Sequence, residues 1–311
     1  MTKFSVVIPL YNKEREIVDT INSILKQSYE VDEIIIVDDG STDESVNLIK
    51  TKFSSDKIRI IKQKNSGETV ARNRAIEEAR NEYIALLDAD DLWEEKFLSE
   101  IWSLIEKYPQ AVFYSTASKS IDESGKNIKN SVNFEESFQG YYDDFFSVFN
   151  RNYGLVNSSS VVIRKSIFSK GIVFPQGERK GGDLCYWLEL SLIGGVAFSA
   201  SPLSVYRLDA SNRSFMIYKE AIVPCPIKWF YANQERLRSH KYYKSIRKFI
   251  YRNIFITVYG GFSLIGDILS IDAVIRHMKK NNDIFYILLY PAYWVPVWLL
   301  ESIKKLRRKL R

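Results

Sequence analysis

The chain has 311 residues, of which 46% are hydrophobic and 26% are charged, and this balance excludes a disordered or fibrous protein. The length suffices for one large domain, or for a domain with an appendage. The net charge is +6, and six of the last eight residues are Lys or Arg. No nucleic-acid reader motif accompanies these terminal charges, so we do not expect a nucleic-acid partner.

In the first part of the chain, short β-branched runs alternate with segments of helical periodicity. The predicted strands are 4–8, 33–37, 57–61 and 83–87, and the predicted helices are 14–28, 43–52 and 68–80. This alternation predicts a parallel sheet with right-handed crossovers, as in a Rossmann-like nucleotide-binding half. The GxGxxG motif is absent, which argues against a dinucleotide dehydrogenase.

The middle of the chain continues the same pattern less regularly. Helices are predicted at 94–108, 165–169 and 181–192, and strands at 111–115, 160–163, 196–200 and 203–207. Residues 116–150 have weak periodicity, so we expect a variable loop or short helices over a site. After about residue 215 the chain becomes helical and rich in aromatic and basic residues. The predicted domains are therefore 1–214 and 215–311.

Acidic clusters follow two of the predicted strands. Asp38 and Asp39 end the second strand, and Asp88, Asp90 and Asp91 end the fourth. Parallel strands end at one edge of the sheet, where open α/β sheets bind ligands. A hard cation prefers such oxygen ligands, and a base or ribose can donate to them. The structural alternative is a pair of solvated turns that cap the following helices.

A basic pair follows the turn at 65–67. Arg72 and Arg74 lie just inside the third predicted helix. Arginine suits bidentate phosphate contact, and helix N-termini favour anions. Either residue can instead belong to a solvated basic face, and we expect this of Arg74.

Four segments in this order resemble glycosyltransferase family 2. They are FSVVIPLYNKE (4–14), IIIVDDGSTD (34–43), SGETVARNRAIEEARNEYIALLDADDLW (66–93) and GGDLCYWLEL (181–190). The resemblance covers residues 3 to about 213. It implies a GT-A fold, in which a mostly parallel α/β sheet is flanked by helices. It also implies sugar transfer with inversion from a nucleotide-sugar, usually a UDP-sugar, with Mn²⁺ or Mg²⁺ as the cofactor.

Carried over by position, the resemblance assigns a donor site to eight residues. They are Pro9, Tyr11, Glu14, Asp38, Asp39, Arg72, Asp88 and Asp90. The first three would line the nucleotide pocket, and the next two would contact uracil or ribose. Arg72 would lie near the diphosphate. In the DxD element, Asp88 would meet the ribose or sugar and Asp90 the metal, while Asp91 is expected to cap the next helix.

Asp183 matches the family's proposed general base. An acceptor hydroxyl is a poor nucleophile, and a carboxylate within hydrogen-bond reach can take its proton as it attacks. The alternative for Asp183 is an N-cap after two glycines. Trp187, one helical turn later, would stack on an acceptor sugar or belong to the core.

The sequence departs from the family pattern at two positions. Gly182 stands where the family often has Glu, which leaves acceptor binding open. The segment 205–209, VYRLD, resembles the family's YRxH, with Asp209 in place of the His. Carboxylate oxygen is a suitable ligand for Mg²⁺ or Mn²⁺, so Asp209 is a second candidate metal ligand, the alternative being a plain turn residue.

The tail contains an apolar run at 284–300, rich in Tyr and Trp and interrupted by Pro291 and Pro296. The run is short for a membrane span, and the basic cluster that follows would attract anionic lipid. We predict in-plane attachment to a membrane. The alternatives are a packed interdomain or homodimer surface, and a true span. The N-terminus has no signal-peptide pattern, so we expect a cytoplasmic protein, peripheral at the inner face of the cell membrane.

The predicted function is that of an inverting, metal-dependent glycosyltransferase that acts on a lipid-linked or surface-polysaccharide acceptor. One alternative is a soluble glycosyltransferase that modifies a protein. Another is a non-catalytic module that binds a nucleotide-sugar, against which the DxD element and Asp183 argue.

Overall fold

The computed structural model describes residues 2–130, 132, 134–152, 154–178, 180–211, 222–255 and 265–289. The chain divides into two compact units. The sheet unit comprises Met1–Gly177 and Gly182–Arg213, and the helical unit comprises Glu178–Gly181 and Ser214–Arg311. The predicted boundary after residue 214 lies one residue from the break after Arg213.

The sheet unit is built on one mixed sheet. Its strands are β1 (Phe4–Leu10), β2 (Glu33–Asp38), β3 (Ile58–Lys62), β4 (Tyr83–Leu86), β5 (Leu92–Trp93), β6 (Phe113–Ile121), β7 (Asn127–Asn130), β8 (Gln139–Tyr142), β9 (Val161–Arg164) and β10 (Val196–Arg207). Their order is β3-β2-β1-β4-β9-β6-β10-β5, with β7 on β6 and β8 on β10. The β3-β2-β1-β4 half and the β6-β10 pair are parallel. β9 joins them antiparallel to both neighbours.

Helices accompany the strands of the sheet unit. They are α1 (Ile17–Leu25), α2 (Ser45–Lys52), α3 (Glu68–Glu78), α4 (Phe97–Lys107), α5 (Phe145–Phe149), α6 (Lys165–Phe168) and α7 (Gly182–Ile193). All seven residues of β1 are buried, as expected for a parallel strand covered on both faces. Its Val6 and Ile8 share one apolar cluster with Ile21 of α1 and Ile101 of α4.

The helical unit contains α8 (Cys225–Ala232), α9 (Gln234–Arg238), α10 (Tyr243–Phe255), α11 (Ile265–Lys280) and a short 3-10 helix at Ile284–Leu289. Within the described residues, no helix is both long and apolar enough to cross a membrane. Of the apolar run predicted at 284–300, only the part up to Leu289 is described, and the basic cluster at 304–311 lies outside the described residues.

The region 116–150 differs from the prediction. β6 continues to Ile121, and β7 and β8 follow it, so much of the expected loop is sheet. Periodicity does not indicate the second part of β6, because its buried side chains from Ser115 to Ser118 are small and mostly polar. The Ser115 hydroxyl donates to the Leu155 carbonyl (3.0 Å), and Ser118 accepts from the Asn157 amide (2.5 Å). Hydrogen bonds therefore satisfy polar groups that periodicity assigns to the surface.

The two strands predicted at 196–200 and 203–207 are one strand, β10. Its pairing with β6 shifts register on both sides of Pro202. Because proline has no N–H for the ladder, a bulge is the usual way for a strand to contain it. The expected turn is therefore an irregularity within a continuous strand.

Candidate active site

The loops that follow β1 and β2 hold each other through side chains. Asn12 lies in the left-handed region (φ 51°), a conformation that Asn tolerates better than most residues. Its N–H donates to the Ser41 hydroxyl (3.1 Å), and its side-chain carbonyl accepts from the Thr42 N–H (2.8 Å). The Lys13 N–H donates to the Ser45 hydroxyl (2.9 Å). The carboxyl edge of these strands is therefore a connected framework.

Asp38 and Asp39 both contact the protein's own loops. Asp38 accepts from the Ser41 N–H (2.9 Å) and closes a turn, as the structural alternative supposed. The buried Asp39 accepts from the backbone N–H groups of Ser66 and Gly67, each at 2.8 Å. Gly67 has φ 97°, which favours glycine. Asp39 thus fixes the turn that starts α3, and its contact with a base stays a prediction.

The other predicted nucleotide-pocket residues differ in exposure. Tyr11 is 44% exposed, so its ring is available for a ligand. Glu14 is exposed and accepts from the Glu44 N–H (3.0 Å). Pro9 is buried within β1, opposite Val37 of β2. Its ring is therefore covered by the sheet unit.

Arg72, which is buried, and Asp88, which is partly exposed, form an ion pair. The Arg72 side chain is 1% exposed, and its Nη2 lies 2.6 Å from Asp88 Oδ1. The same guanidinium pairs with Glu68 and lies 5.0 Å from the centre of the Phe174 ring. Burial raises the pKa of Asp88 to about 7, against the opposing charge of Arg72. Arg72 therefore joins α3 to the end of β4.

Asp90 is paired with Lys13 from the loop after β1. Lys13 Nζ lies 2.7 Å from Asp90 Oδ2 and also donates to the Ser211 carbonyl. The Ser211 N–H and hydroxyl donate to the buried Glu16 carboxylate, at 2.8 and 3.1 Å. The chain just after β10 is thus held beside Asp90 by two charged side chains.

Asp91 is buried and does not cap a helix. Its Oδ2 accepts from the Ser159 hydroxyl (2.5 Å), and its Oδ1 accepts from the Arg207 N–H (3.4 Å). Burial raises the pKa of Asp91 well above its usual range. The predicted capping role is wrong, because β5 follows at once and α4 begins only at Phe97.

Asp183 lies in the first turn of α7, as predicted. Burial raises the pKa of its carboxyl, while a hydrogen bond from the Leu184 N–H lowers it. The charges of Glu68 and Arg72 also act on this carboxyl, in opposite directions. Asp183 therefore lies within electrostatic reach of the ion pairs that hold Asp88.

Trp187 belongs to the core of the sheet unit. Its side chain is 1% exposed. The ring stacks on Phe113 and meets Phe174 edge-on, with centroid distances of 6.2 and 5.7 Å. The structure thus supports the core interpretation rather than stacking on an acceptor sugar.

The predicted metal ligands both have cationic partners. Asp90 pairs with Lys13, and Asp209 Oδ2 lies 3.5 Å from Arg207 Nη2. Among the described residues, no group of three or more His, Cys, Asp or Glu side chains is arranged to hold a metal. Mg²⁺ is often bound by one or two carboxylates together with substrate phosphates. Asp90 at the sheet edge fits such a partial ligand set.

Several residues of the site were not found by the sequence analysis. They are Lys13, Glu16, Glu68, Ser159 and Ser211. Lys13 and Glu68 lie within the first and third motifs and Glu16 lies just after the first, so the motifs were a usable signal. Ser159 lies in a run of small polar residues before β9, and such runs are common in ordinary loops.

The fold and the candidate site together indicate the class of protein. A mostly parallel α/β sheet that gathers acidic side chains and a buried arginine at its carboxyl edge is typical of proteins that bind nucleotides there. The sequence profile of glycosyl transferase family 2 matches residues 5–171. This chain belongs to glycosyltransferase family 2, as the motifs predicted.

Proteins of similar sequence are also described as glycosyltransferases. An uncharacterized glycosyltransferase of Rickettsia bellii is 33% identical over 219 residues, which cover 69% of this chain and 30% of that protein. TuaG of Bacillus subtilis, a glycosyltransferase provisionally assigned to teichuronic acid biosynthesis, is 30% identical over 230 residues. Those residues cover 70% of this chain and 87% of TuaG. The chain thus spans about a third of the Rickettsia protein and most of TuaG.

The fold matches a solved structure. The crystal structure of S. aureus TarS 1–349 in complex with UDP-GlcNAc superposes with a TM-score of 0.72 at 18% identity. The match covers 100% of this chain and 93% of that one. The predicted GT-A-like fold, with helices following the sheet unit, is confirmed.

Proposed function

We propose that this protein is an inverting glycosyltransferase that moves a sugar from a UDP-sugar to an acceptor hydroxyl. The observation that carries the proposal is the ion pair between Asp88 of the DxD element and Arg72, which also pairs with Glu68 at the carboxyl edge of the sheet. The charges of Glu68 and Arg72 also act on Asp183, the candidate base. Family membership and the UDP-GlcNAc complex of TarS support a nucleotide-sugar donor.

Asp183 is the general base in this mechanism. Its carboxylate takes the acceptor's proton while the acceptor oxygen forms a bond to the anomeric carbon. The bond from that carbon to the diphosphate oxygen breaks, and its electron pair leaves with UDP. Attack opposite the leaving group inverts the anomeric centre. General-base assistance contributes roughly 10²–10⁴-fold.

In this mechanism, residues of the DxD element bind the donor and assist the departure of UDP. Asp90 would hold Mn²⁺ or Mg²⁺, which when bound would stabilise charge on the departing diphosphate. Asp88, positioned by Arg72, faces the donor's sugar or ribose. Tyr11, exposed beside the loops after β1 and β2, is the candidate to contact the base. For Asp209 to serve as a ligand, it would have to leave Arg207.

We propose a lipid-linked or surface-polysaccharide acceptor at the inner face of the cell membrane. The teichuronic acid assignment of TuaG supports this acceptor class. In the helical unit, Ile284 and Ile287 are 71% and 56% exposed. Exposed Lys279 and Lys280 precede them. Apolar side chains beside basic ones suit an anionic membrane surface.

Asp183→Asn tests the assignment of the base. We expect transfer from UDP-sugar to fall by roughly 10²–10⁴-fold, whereas calorimetry should show an unchanged affinity for UDP with Mn²⁺. The matched control is Asp56→Asn, an exposed aspartate between α2 and β3, which should transfer like wild type. A fully active Asp183→Asn enzyme would refute the assignment. UDP binding by the wild type without transfer to any acceptor would favour the non-catalytic module.

A further inference from the structure

The side chain of Lys13 joins three segments at the carboxyl edge of the sheet. It starts in the loop after β1, pairs with Asp90 in the loop after β4, and donates to the Ser211 carbonyl after β10. The side chains of Lys13 and Asp90 are 12% and 19% exposed, so solvent screens this pair only in part. The Lys13 N–H is itself anchored on Ser45. The framework therefore directs this ammonium to Asp90.

The carboxylates of Asp88, Asp90 and Asp91 have different hydrogen-bond and ion-pair partners. Asp88 is paired with the buried Arg72. Asp91 accepts from Ser159 and from the Arg207 N–H. Asp90 is paired with a lysine, whose compact charge and flexible stem let it change partners more readily than arginine.

We propose that Lys13 competes with the divalent cation for Asp90 and moves to the donor's diphosphate when that cation binds. The inference rests on the proposed function, because it presumes a diphosphate donor at this edge. The ammonium occupies an oxygen that a cation would coordinate, and the two positive charges repel each other. A diphosphate offers the displaced ammonium new acceptors. Lys13 would thus disfavour metal binding in the absence of donor and favour metal and donor together.

The test measures two affinities of Lys13→Met. Without nucleotide, Mn²⁺ binding followed by electron paramagnetic resonance should tighten by roughly tenfold, the effect one neighbouring charge commonly has on a carboxylate's proton affinity. With saturating Mn²⁺, UDP binding measured by calorimetry should weaken by roughly tenfold. A purely structural role would not change the two affinities in opposite directions.

Three further variants define the controls. Lys13→Arg keeps the charge, so its Mn²⁺ affinity should stay near that of wild type. Lys62→Met removes an exposed charge at the end of β3 and should change neither affinity. If Lys13→Met does not fold, Lys13→Gln replaces it, because glutamine can still donate to the Ser211 carbonyl.

The outcomes separate the inference from the function on which it rests. Unchanged or weaker Mn²⁺ binding by Lys13→Met would overturn the competition. Unchanged UDP binding by Lys13→Met would refute the proposed movement of the Lys13 ammonium to the diphosphate. If the wild type binds no nucleotide with Mn²⁺, the proposed donor is wrong, and the measurement without nucleotide still decides whether Lys13 competes for Asp90.

Discussion

Burial raises the pKa of three carboxyl groups in the candidate site, those of Asp88, Asp91 and Asp183. Removal from water disfavours the charged form of each, and for Asp88 and Asp183 the charge of Arg72 only partly restores it. A carboxylate with a raised pKa binds a proton more strongly than a solvated one. For Asp183 this property suits proton abstraction from an acceptor hydroxyl near neutral pH.

The pH dependence of transfer follows from this shift. Asp183 must be ionised to accept a proton, so activity should be lost as the pH falls through its raised pKa. We expect the acid limb of kcat/KM for the acceptor, measured with donor and Mn²⁺ saturating, to lie above the usual aspartate value of 3.8. Activity that is constant down to about pH 4 would contradict the shift. The Asp56→Asn control should show the same profile as wild type.

At the scale of elements, the site depends on side-chain contacts that join different segments of the chain rather than on any one helix or strand. Arg72 of α3 holds the end of β4 through Asp88, and Ser159 before β9 holds the next loop through Asp91. Each contact gives a buried ionisable side chain, Arg72 or Asp91, a hydrogen-bond partner, and such a group left without its partner is costly. Loss of one partner should therefore destabilise the sheet unit as well as the site.

Arg72→Met tests this coupling. The substitution leaves the partly buried Asp88 without its cation, and we expect the free energy of unfolding to fall by roughly 1–3 kcal/mol. Urea denaturation at neutral pH measures the change. The matched control is Arg80→Met, just beyond α3, where the arginine side chain is 77% exposed and the expected change is within about 0.5 kcal/mol. Equal stabilities of the two variants would contradict a structural role for Arg72.

Some elements could be predicted from the sequence and some could not. β1 to β4 are short, β-branched and wholly or partly buried, so hydrophobic pattern locates them within two residues at each end. β6 was predicted only as far as residue 115, because its buried serines and threonine match no apolar period. The capping role of Asp91 was wrong because a two-residue strand intervenes, and no local pattern indicates a strand that short.

At the scale of the whole molecule, the protein consists of a sheet unit with the candidate site and a helical unit with exposed apolar side chains. In the helical unit, Asp283 accepts from the Tyr231 hydroxyl (2.5 Å), from Tyr251 and from the Phe285 N–H (3.0 Å). Asp283 thus fixes the start of the 3-10 helix that carries Ile284 and Ile287. The proposed membrane attachment through this helix can be tested separately from catalysis.

Binding to lipid vesicles tests the attachment. We expect the full chain to co-sediment with phosphatidylcholine vesicles that contain about one third phosphatidylserine. Added salt should release part of the bound protein, because it screens the attraction between basic residues and anionic lipid. The double variant Ile284→Ser/Ile287→Ser should bind roughly tenfold more weakly, since it removes apolar surface from the contact. Ile128→Ser, at a 53% exposed isoleucine of the sheet unit, is the control and should bind like wild type. Equal binding by all three proteins would exclude this helix as the contact.

The sequence alone determined the family, the α/β class and the candidate aspartates of the site, because motif order and strand periodicity are local properties of the chain. The tertiary structure decided which of these residues meet. It placed Trp187 in the core, closed the turn at Asp38, and brought Lys13, Asp90 and Ser211 together. Apart from the local turn at Asp38, those contacts join residues far apart in sequence, and their geometry depends on strand order and burial, which the folded chain alone defines.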